Sequence, residues 1–192
     1  MYAIAGARVS PEDHRFALKR ATDAAHARVE EIVQAAGMFG SIEGYRRYLN
    51  GSYAARARLE HRLDAGGAER LWADWPSRRI AHLIAADIDD LGGVALVSSG
   101  MSALPLSDAE LLGVLYVLEG SSLGARVLVN MARGLGLSAT CGARHLVHQA
   151  GDTGAWRSFV ALMNSAAQPP SIEAALAAFD VFADAYSREA SI

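Results

Sequence analysis

The sequence predicts an all-α protein folded as a single domain of six to eight helices. Two observations predict this class. Apolar residues recur at intervals of three and four over most of the chain, and capping residues and glycines separate these stretches. A chain of 192 residues can bury one substantial core. We therefore assign residues 1–192 to one domain, with residues 1–10 as a flexible N-terminal tail.

Composition limits the classes of partner and location. Hydrophobic residues make up 52% of the chain, charged residues 20%, and the net charge is −3, so nothing suggests a nucleic-acid partner. The one cysteine, Cys141, cannot form an internal disulfide and fits a reducing compartment. Glu110, Glu119 and Arg126 interrupt the longest apolar run, which leaves no stretch of the ~20 residues that cross a bilayer. We expect a cytoplasmic protein without a membrane partner.

Three helices are predicted before residue 92. Ser10-Pro11-Glu12-Asp13 is a helix start, with an N-cap serine, a proline at the first position and acids in the first turn, and this helix ends near Gly37. Ser41 caps a second helix that reaches Gly66. A junction rich in tryptophan precedes a third helix over residues 80–91.

The second half of the chain is read in the same way. Residues 94–106 are read as a loop, although an apolar run there could form a short strand. Ser107 and Glu110 have the spacing of a capping box and open a long central helix over residues 111–137. A loop or short helix follows, and two further helices begin near Trp156 and at Ser171.

Two glycines interrupt the apolar pattern of the central helix. Gly120 and Gly124 are four residues apart and share one helix face, although each glycine costs roughly 1 kcal/mol relative to alanine there. Such a strip of bare backbone permits tight helix–helix packing, and it equally permits close approach of a flat ligand. The spacing alone leaves both interpretations open.

His26 is the candidate ligand histidine. It lies among small residues on the first helix, and Glu30 follows it on the same face, where it could orient the imidazole. A neutral imidazole of this kind can bind haem iron. The alternative is a half-buried histidine that only packs on a neighbour. The other histidines, His145 among them, are expected at the surface or at helix rims.

Two motifs resemble those of the haem oxygenase family. Residues 18–30 (LKRATDAAHARVE) resemble the proximal motif LKxATxxxHxxxE, and residues 116–125 (YVLEGSSLGA) resemble the distal-helix motif of bacterial members, including those associated with bacteriophytochromes. The motifs occur in the family's order, and the resemblance extends over residues 12–186. It implies a helical fold in which haem lies between a proximal helix and a kinked distal helix.

The resemblance also implies the site residues. His26 would be the axial ligand of the iron, with Glu30 near it. The distal side would be formed by Gly120, Ser121, Ser122 and Gly124. Other haem contacts would come from Lys19, Tyr116 and Ala125. Because the family's basic pair on the penultimate helix is not matched here, Arg126 or Arg133 on the distal helix could bind the propionates instead.

This chain departs from the family pattern at two places. Ser121 stands where many members have an aspartate that orders water. The basic pair that members place on the penultimate helix falls near Trp156 and Val160.

The implied function is a haem oxygenase that cleaves haem b with dioxygen to biliverdin, iron and carbon monoxide. Haem would be both substrate and cofactor. Electrons would come from a separate reductase or ferredoxin, because the chain has no flavin or nicotinamide motif. A bacteriophytochrome is a further expected partner, as acceptor of the biliverdin. The alternatives are a haem carrier of the same fold without turnover, a thiaminase-like enzyme, and a helical interaction module.

Overall fold

The computed structural model describes residues 11–96, 106–152 and 154–192, and these residues form seven helices of at least eight residues and two of four residues. In chain order the helices are α1 (Pro11–Ala35), α2 (Ile42–Ala65), α3 (Ala68–Leu71), α4 (Trp75–Arg78), α5 (Ala81–Asp90), α6 (Asp108–Gly134), α7 (Arg144–Gly151), α8 (Ala155–Ser165) and α9 (Ile172–Ala190). The all-α prediction is confirmed. The predicted tail at residues 1–10 and most of the predicted loop at 94–106 lie outside the described residues.

Local capping chemistry explains where the long helices begin. The Ser41 hydroxyl accepts a hydrogen bond from the Gly44 amide at 3.0 Å, which caps α2. Ser107 and Glu110 form both halves of the predicted capping box at the start of α6. Ser171 caps α9 in the same way as Ser41 caps α2. The helix starts predicted at these serines are confirmed.

The core consists of two apolar clusters, and the long helices run between them. The first cluster contains Leu18 of α1, most of residues 111–118 of α6, and Ala175, Ala178 and Phe179 of α9. The second contains later residues of the same helices, including Val129 and Tyr186. α1, α6 and α9 therefore run in one direction. α2 runs in the opposite direction, because its later leucines belong to the first cluster and its tyrosines to the second.

A glycine permits the close contact between α6 and α9. A Cβ at Gly113 would lie 2.3 Å from the Ser171 carbonyl oxygen and 3.2 Å from the Ala174 Cβ. No side chain fits there, so the helices approach through the bare backbone of Gly113. This contact fixes α9 against the first half of α6.

By length and composition alone, α6 is long and apolar enough to cross a membrane. Its most apolar window has a mean hydropathy of 1.4, but 56% of that window is buried inside the fold. Residues 111–115 are all buried, and they belong to the first core cluster. α6 therefore has the burial of a core helix.

Candidate functional site

α1 and α6 both pack on α8 and on α9 but hardly on each other, and we call the space between them the cleft. At one end of the cleft the Tyr116 phenol of α6 lies beside the Thr22 hydroxyl of α1, and the two walls meet there. His26 and Gly120 each follow one helical turn later. Because α1 and α6 run in the same direction, these two residues lie on opposite walls just beyond the closed end.

The His26 imidazole is accessible from the cleft. Its side chain is 57% exposed, and its Nδ1 atom lies 3.6 Å from a carboxylate oxygen of Glu30. The ring meets Phe179 of α9 edge-on, with the ring centroids 5.8 Å apart. The Nε2 atom makes no hydrogen bond with any residue that the structure describes. An imidazole with a carboxylate near its Nδ1 atom and an unpaired Nε2 atom is suited to bind a metal ion through Nε2.

Gly120 and Gly124 of α6 face open space. A Cβ on Gly124 would meet no described atom within 4 Å, and one on Gly120 would meet only the Trp156 ring, at 3.9 Å. Within the described part of the chain, the helix-packing interpretation is therefore wrong for these two glycines, whereas it is right for Gly113. The glycines are flanked by exposed apolar side chains, notably Leu123 at 59% and Val127 at 63%.

An aromatic group closes one end of the cleft. The rings of Tyr116 and Trp156 have centroids 6.0 Å apart. The Arg15 guanidinium lies 5.7 Å from the centroid of the Trp156 ring, which links α8 to α1. Burial raises the pKa of the Tyr116 phenol, and the neighbouring Thr22 hydroxyl opposes that shift. The phenol therefore stays protonated and can act as a donor.

Ser121 and Ser122 bond to the backbone of α6 itself. The Ser121 hydroxyl donates to the Leu118 carbonyl at 2.7 Å, and the Ser122 hydroxyl donates to the Glu119 carbonyl at the same distance. Hydroxyls bonded in this way often bend helices. Ser121 also accepts a bond from the Gln149 amide at 3.0 Å.

The remaining predicted residues of α6 lie on other faces. Ala125 is 1% exposed and packs inside the fold rather than in the cleft. At about 100° per residue, Arg126 lies about 200° and Arg133 about 180° around the helix from Gly124. The structure does not bring these three residues together with His26. Lys19 of α1 is exposed and pairs with Asp23 at 2.9 Å.

A buried polar network beneath α6 was missed from the sequence. Arg56 of α2 pairs with Glu60 at 2.9 Å and donates to the Leu118 carbonyl at 3.3 Å. Arg78 pairs with the buried Glu119 and with Asp152. A signal was available, since Arg56 lies seven residues from Leu49 and from Leu63 and so shares their inward face.

The expectation that His145 lies at the surface is wrong. Its side chain is 1% exposed, and its Nδ1 atom lies 2.6 Å from an Asp87 carboxylate oxygen. Asp87 also accepts from the backbone amides of Arg144 and His145, so it caps the start of α7. Burial lowers the pKa of His145, although the Asp87 carboxylate acts in the opposite direction. The pair holds α5 to α7, away from the cleft.

Together these features define a helical protein with a site between α1 and α6 that suits a flat, apolar ligand. One wall presents an imidazole and the other presents bare backbone and aliphatic side chains. Haem fits this donor set, because its iron takes a neutral imidazole and its ring requires flat apolar surroundings.

Comparison with known proteins identifies the family. The family model described as Heme oxygenase matches residues 14–188. The chain is 34% identical over 145 residues to Heme oxygenase PigA of Pseudomonas aeruginosa. This match covers 74% of this chain and 73% of that protein. It is 33% identical over 156 residues to a heme oxygenase of Xanthomonas campestris pv. campestris, which covers 72% of this chain and 91% of that protein. The chain therefore belongs to the haem oxygenase family.

The fold agrees with a solved structure of the family. The NO- and CO-bound heme oxygenase from Neisseria meningitidis matches with a TM-score of 0.82 and 24% identity, over 93% of this chain and 92% of that one. The prediction of a haem-oxygenase-like fold is confirmed. Degradation of haem to biliverdin is the general function of the family, so the chain is a haem oxygenase by class. The predicted enzyme class is confirmed with it.

Proposed function

We propose that the cleft between α1 and α6 is the haem site and that His26 binds the iron through its Nε2 atom. The carrying observation is the juxtaposition of an accessible imidazole on one wall with a glycine face on the other. Glu30 lies on the Nδ1 side of the ring, where a carboxylate can accept the Nδ1 proton and fix the tautomer.

The glycine face then carries the distal side of the site. Side chains at residues 120 and 124 would occupy the space that the ring needs, and glycine leaves this space open. Leu123 and Val127 cover the ring edge and exclude water from it. Because the Ser121 proton is donated to the Leu118 carbonyl, the Ser121 oxygen can only accept hydrogen bonds from other groups.

Lys19 and Tyr116 supply the polar contacts near the end of the cleft where its two walls meet. Haem carries two propionates, and an exposed lysine ammonium beside the cleft can pair with one of them. Tyr116 can donate its hydroxyl proton. When bound, haem supplies both the redox-active iron and the carbon ring that is opened, with release of iron and carbon monoxide.

Electrons come from a separate reductase or ferredoxin in this proposal. Arg15 and Lys19 are exposed on α1 and share the helix face of His26, where they form a basic rim that suits an acidic donor protein. The enzyme would act in the cytoplasm, and a bacteriophytochrome would take up the biliverdin. The rate of turnover with ferredoxin should fall as ionic strength rises, because exposed charges are screened.

Titration of the full-length protein with haemin tests the proposed site. We expect a Soret band at one equivalent, and His26→Ala should weaken haemin binding more than about tenfold, since it removes the axial ligand. His61→Ala is the matched control, because His61 is an exposed histidine of α2. With a reductase in air, the Soret band should decay as the red absorption of biliverdin appears.

Two outcomes would contradict the proposal. Normal binding and turnover by His26→Ala would remove His26 from the site. A Soret band of the wild-type protein that never decays under reducing conditions would favour the haem carrier without turnover.

A further inference from the structure

The indole of Trp156 lies at one end of the cleft and spans the gap between its walls. Its Cζ3 atom is the described atom nearest to the Cβ position of Gly120, at 3.9 Å. The Arg15 guanidinium carbon of α1 lies 5.7 Å from the centroid of the same ring. The indole, which α8 carries, therefore contacts the Gly120 face of α6 and the end of the Arg15 side chain of α1.

Aromatic neighbours hold the indole in this position. Tyr116 and Phe159 each have a ring centroid 6.0 Å from that of Trp156, at interplanar angles of 53° and 41°. Phe159 is fully buried in the first core cluster. Contacts at such distances and angles restrict how an aromatic ring can turn. α8 itself packs on both α1 and α6, so the ring stands on a fixed support.

Rotation of the ligand about its iron bond can be opposed only at the edge of the ring. A bond from His26 to the iron would fix the centre of the ring but permit this rotation, and Gly120 and Gly124 carry no side chain that could resist it. Leu123 and Val127 are exposed aliphatic side chains, whereas the Trp156 ring is held by Tyr116 and Phe159. Trp156 is therefore the most firmly held group at that edge.

We propose that Trp156 is a specificity-determining residue whose indole is the stop for one edge of the haem ring. It sets the rotation of haem about the axis through His26, and so decides which of the four bridging carbons of the ring lies deepest in the cleft. This inference rests on the proposed function, since it requires haem in the cleft with His26 as its ligand.

The proton NMR spectrum of the ferric protein with haemin and added cyanide tests the stop. In such complexes the shifts of the four ring methyl groups report the rotation of haem relative to the axial imidazole. We expect one set of methyl signals from the wild-type protein. Trp156→Ala should change the order of the methyl shifts or add a second set, and Trp156→Phe should produce a smaller change.

Leu162→Ala is the matched control, because Leu162 lies on another face of α8 and packs against the first core cluster. Its methyl pattern should equal that of the wild type. As a second readout, biliverdin from Trp156→Ala should contain an isomer that the wild type and Leu162→Ala do not form.

An unchanged methyl pattern in Trp156→Ala, with haemin bound, overturns the proposal that Trp156 limits the rotation of haem. If circular dichroism shows that Trp156→Ala does not fold, Trp156→Phe decides alone, and an unchanged pattern in it overturns the stop. Failure of the proposed function is a different result. In that case the wild-type protein binds no haemin, or His26→Ala gives the wild-type spectrum.

Discussion

Arg78 and Glu119 form a buried ion pair directly beneath the glycine-bearing turn of α6, with Arg78 Nη2 3.0 Å from Glu119 Oε2. Burial raises the pKa of the Glu119 carboxyl group, and the Arg78 guanidinium acts in the opposite direction. The same guanidinium also pairs with Asp152, which accepts from the Ala155 amide at the start of α8. One side chain thus connects the distal wall with the helix that carries Trp156.

Removal of one partner from this pair should destabilise the protein strongly. Glu119→Ala leaves the buried Arg78 guanidinium next to a void with the partly exposed Asp152 as its remaining partner, so we expect a loss at the lower end of about 3–5 kcal/mol in the free energy of unfolding. Urea unfolding followed by circular dichroism measures it. Arg28→Ala is the control, because the exposed Arg28–Asp180 pair should cost about 1 kcal/mol or less. Equal losses in the two variants would contradict the buried role.

Gly124→Ala should change stability and ligand binding in opposite directions. Its Cβ meets no described atom within 4 Å, and alanine favours the helix, so the apoprotein should gain up to about 1 kcal/mol. The same methyl group lies in the cleft, so haemin affinity should fall. Gly113→Ala is the control and should only destabilise, because its Cβ collides with Ser171. A stabilised Gly124→Ala with unchanged haemin affinity would show that the ligand lies elsewhere.

His145 should make stability depend on pH. Burial is the larger effect and lowers its pKa in the folded protein, so unfolding takes up a proton below the unfolded value of about 6.5. The stability that His145 contributes is complete above this pH and is lost as the pH falls below it. We expect His145→Gln to flatten the fall in unfolding free energy between about pH 7 and 5. His82→Gln, at an exposed histidine of α5, is the control and should keep the wild-type pH dependence of the unfolding free energy. If His145→Gln also keeps the wild-type dependence, the assignment to His145 is refuted.

Lys19→Gln should separate ligand contact from stability. Lys19 is 61% exposed, and its pair with Asp23 is of the kind that adds less than about 1 kcal/mol. The melting temperature of the apoprotein should therefore barely move, whereas haemin affinity should fall if the ammonium pairs with a propionate. Arg58→Gln removes an exposed charge from α2 as a control. Similar haemin affinities in both variants would remove Lys19 from the site.

The helix boundaries were predictable because they depend on local chemistry. Ser41, Ser107 and Ser171 cap helices through bonds to residues three positions away, and such bonds can be read from short stretches of sequence. The family could be predicted for a similar reason, since the motifs around His26 and Gly120 are contiguous. That the residues of these motifs form the haem site stays a prediction.

Burial was not predictable in the same way. Glu119 and His145 are charged or polar, and only the approach of helices distant in sequence places them inside the fold. The direction of side chains on α6 was also missed for Arg126 and Arg133, which were expected to replace the family's basic pair at the propionates without regard to their helix face. Helical geometry at 100° per residue would have separated them from Gly124.

The cleft exists only in the folded chain, because α1 and α6 are distant in sequence and are brought together by α8 and α9, and this has a thermodynamic consequence. Any ligand that binds only the folded chain adds RT ln(1 + [L]/Kd) to its stability, about 2.7 kcal/mol when the ligand is at a hundred times its Kd. An enzyme that destroys such a ligand gives up this contribution in every cycle, at the moment when its product leaves. Resistance to proteolysis should therefore follow the supply of substrate, so that a cell short of haem also clears the enzyme that degrades it.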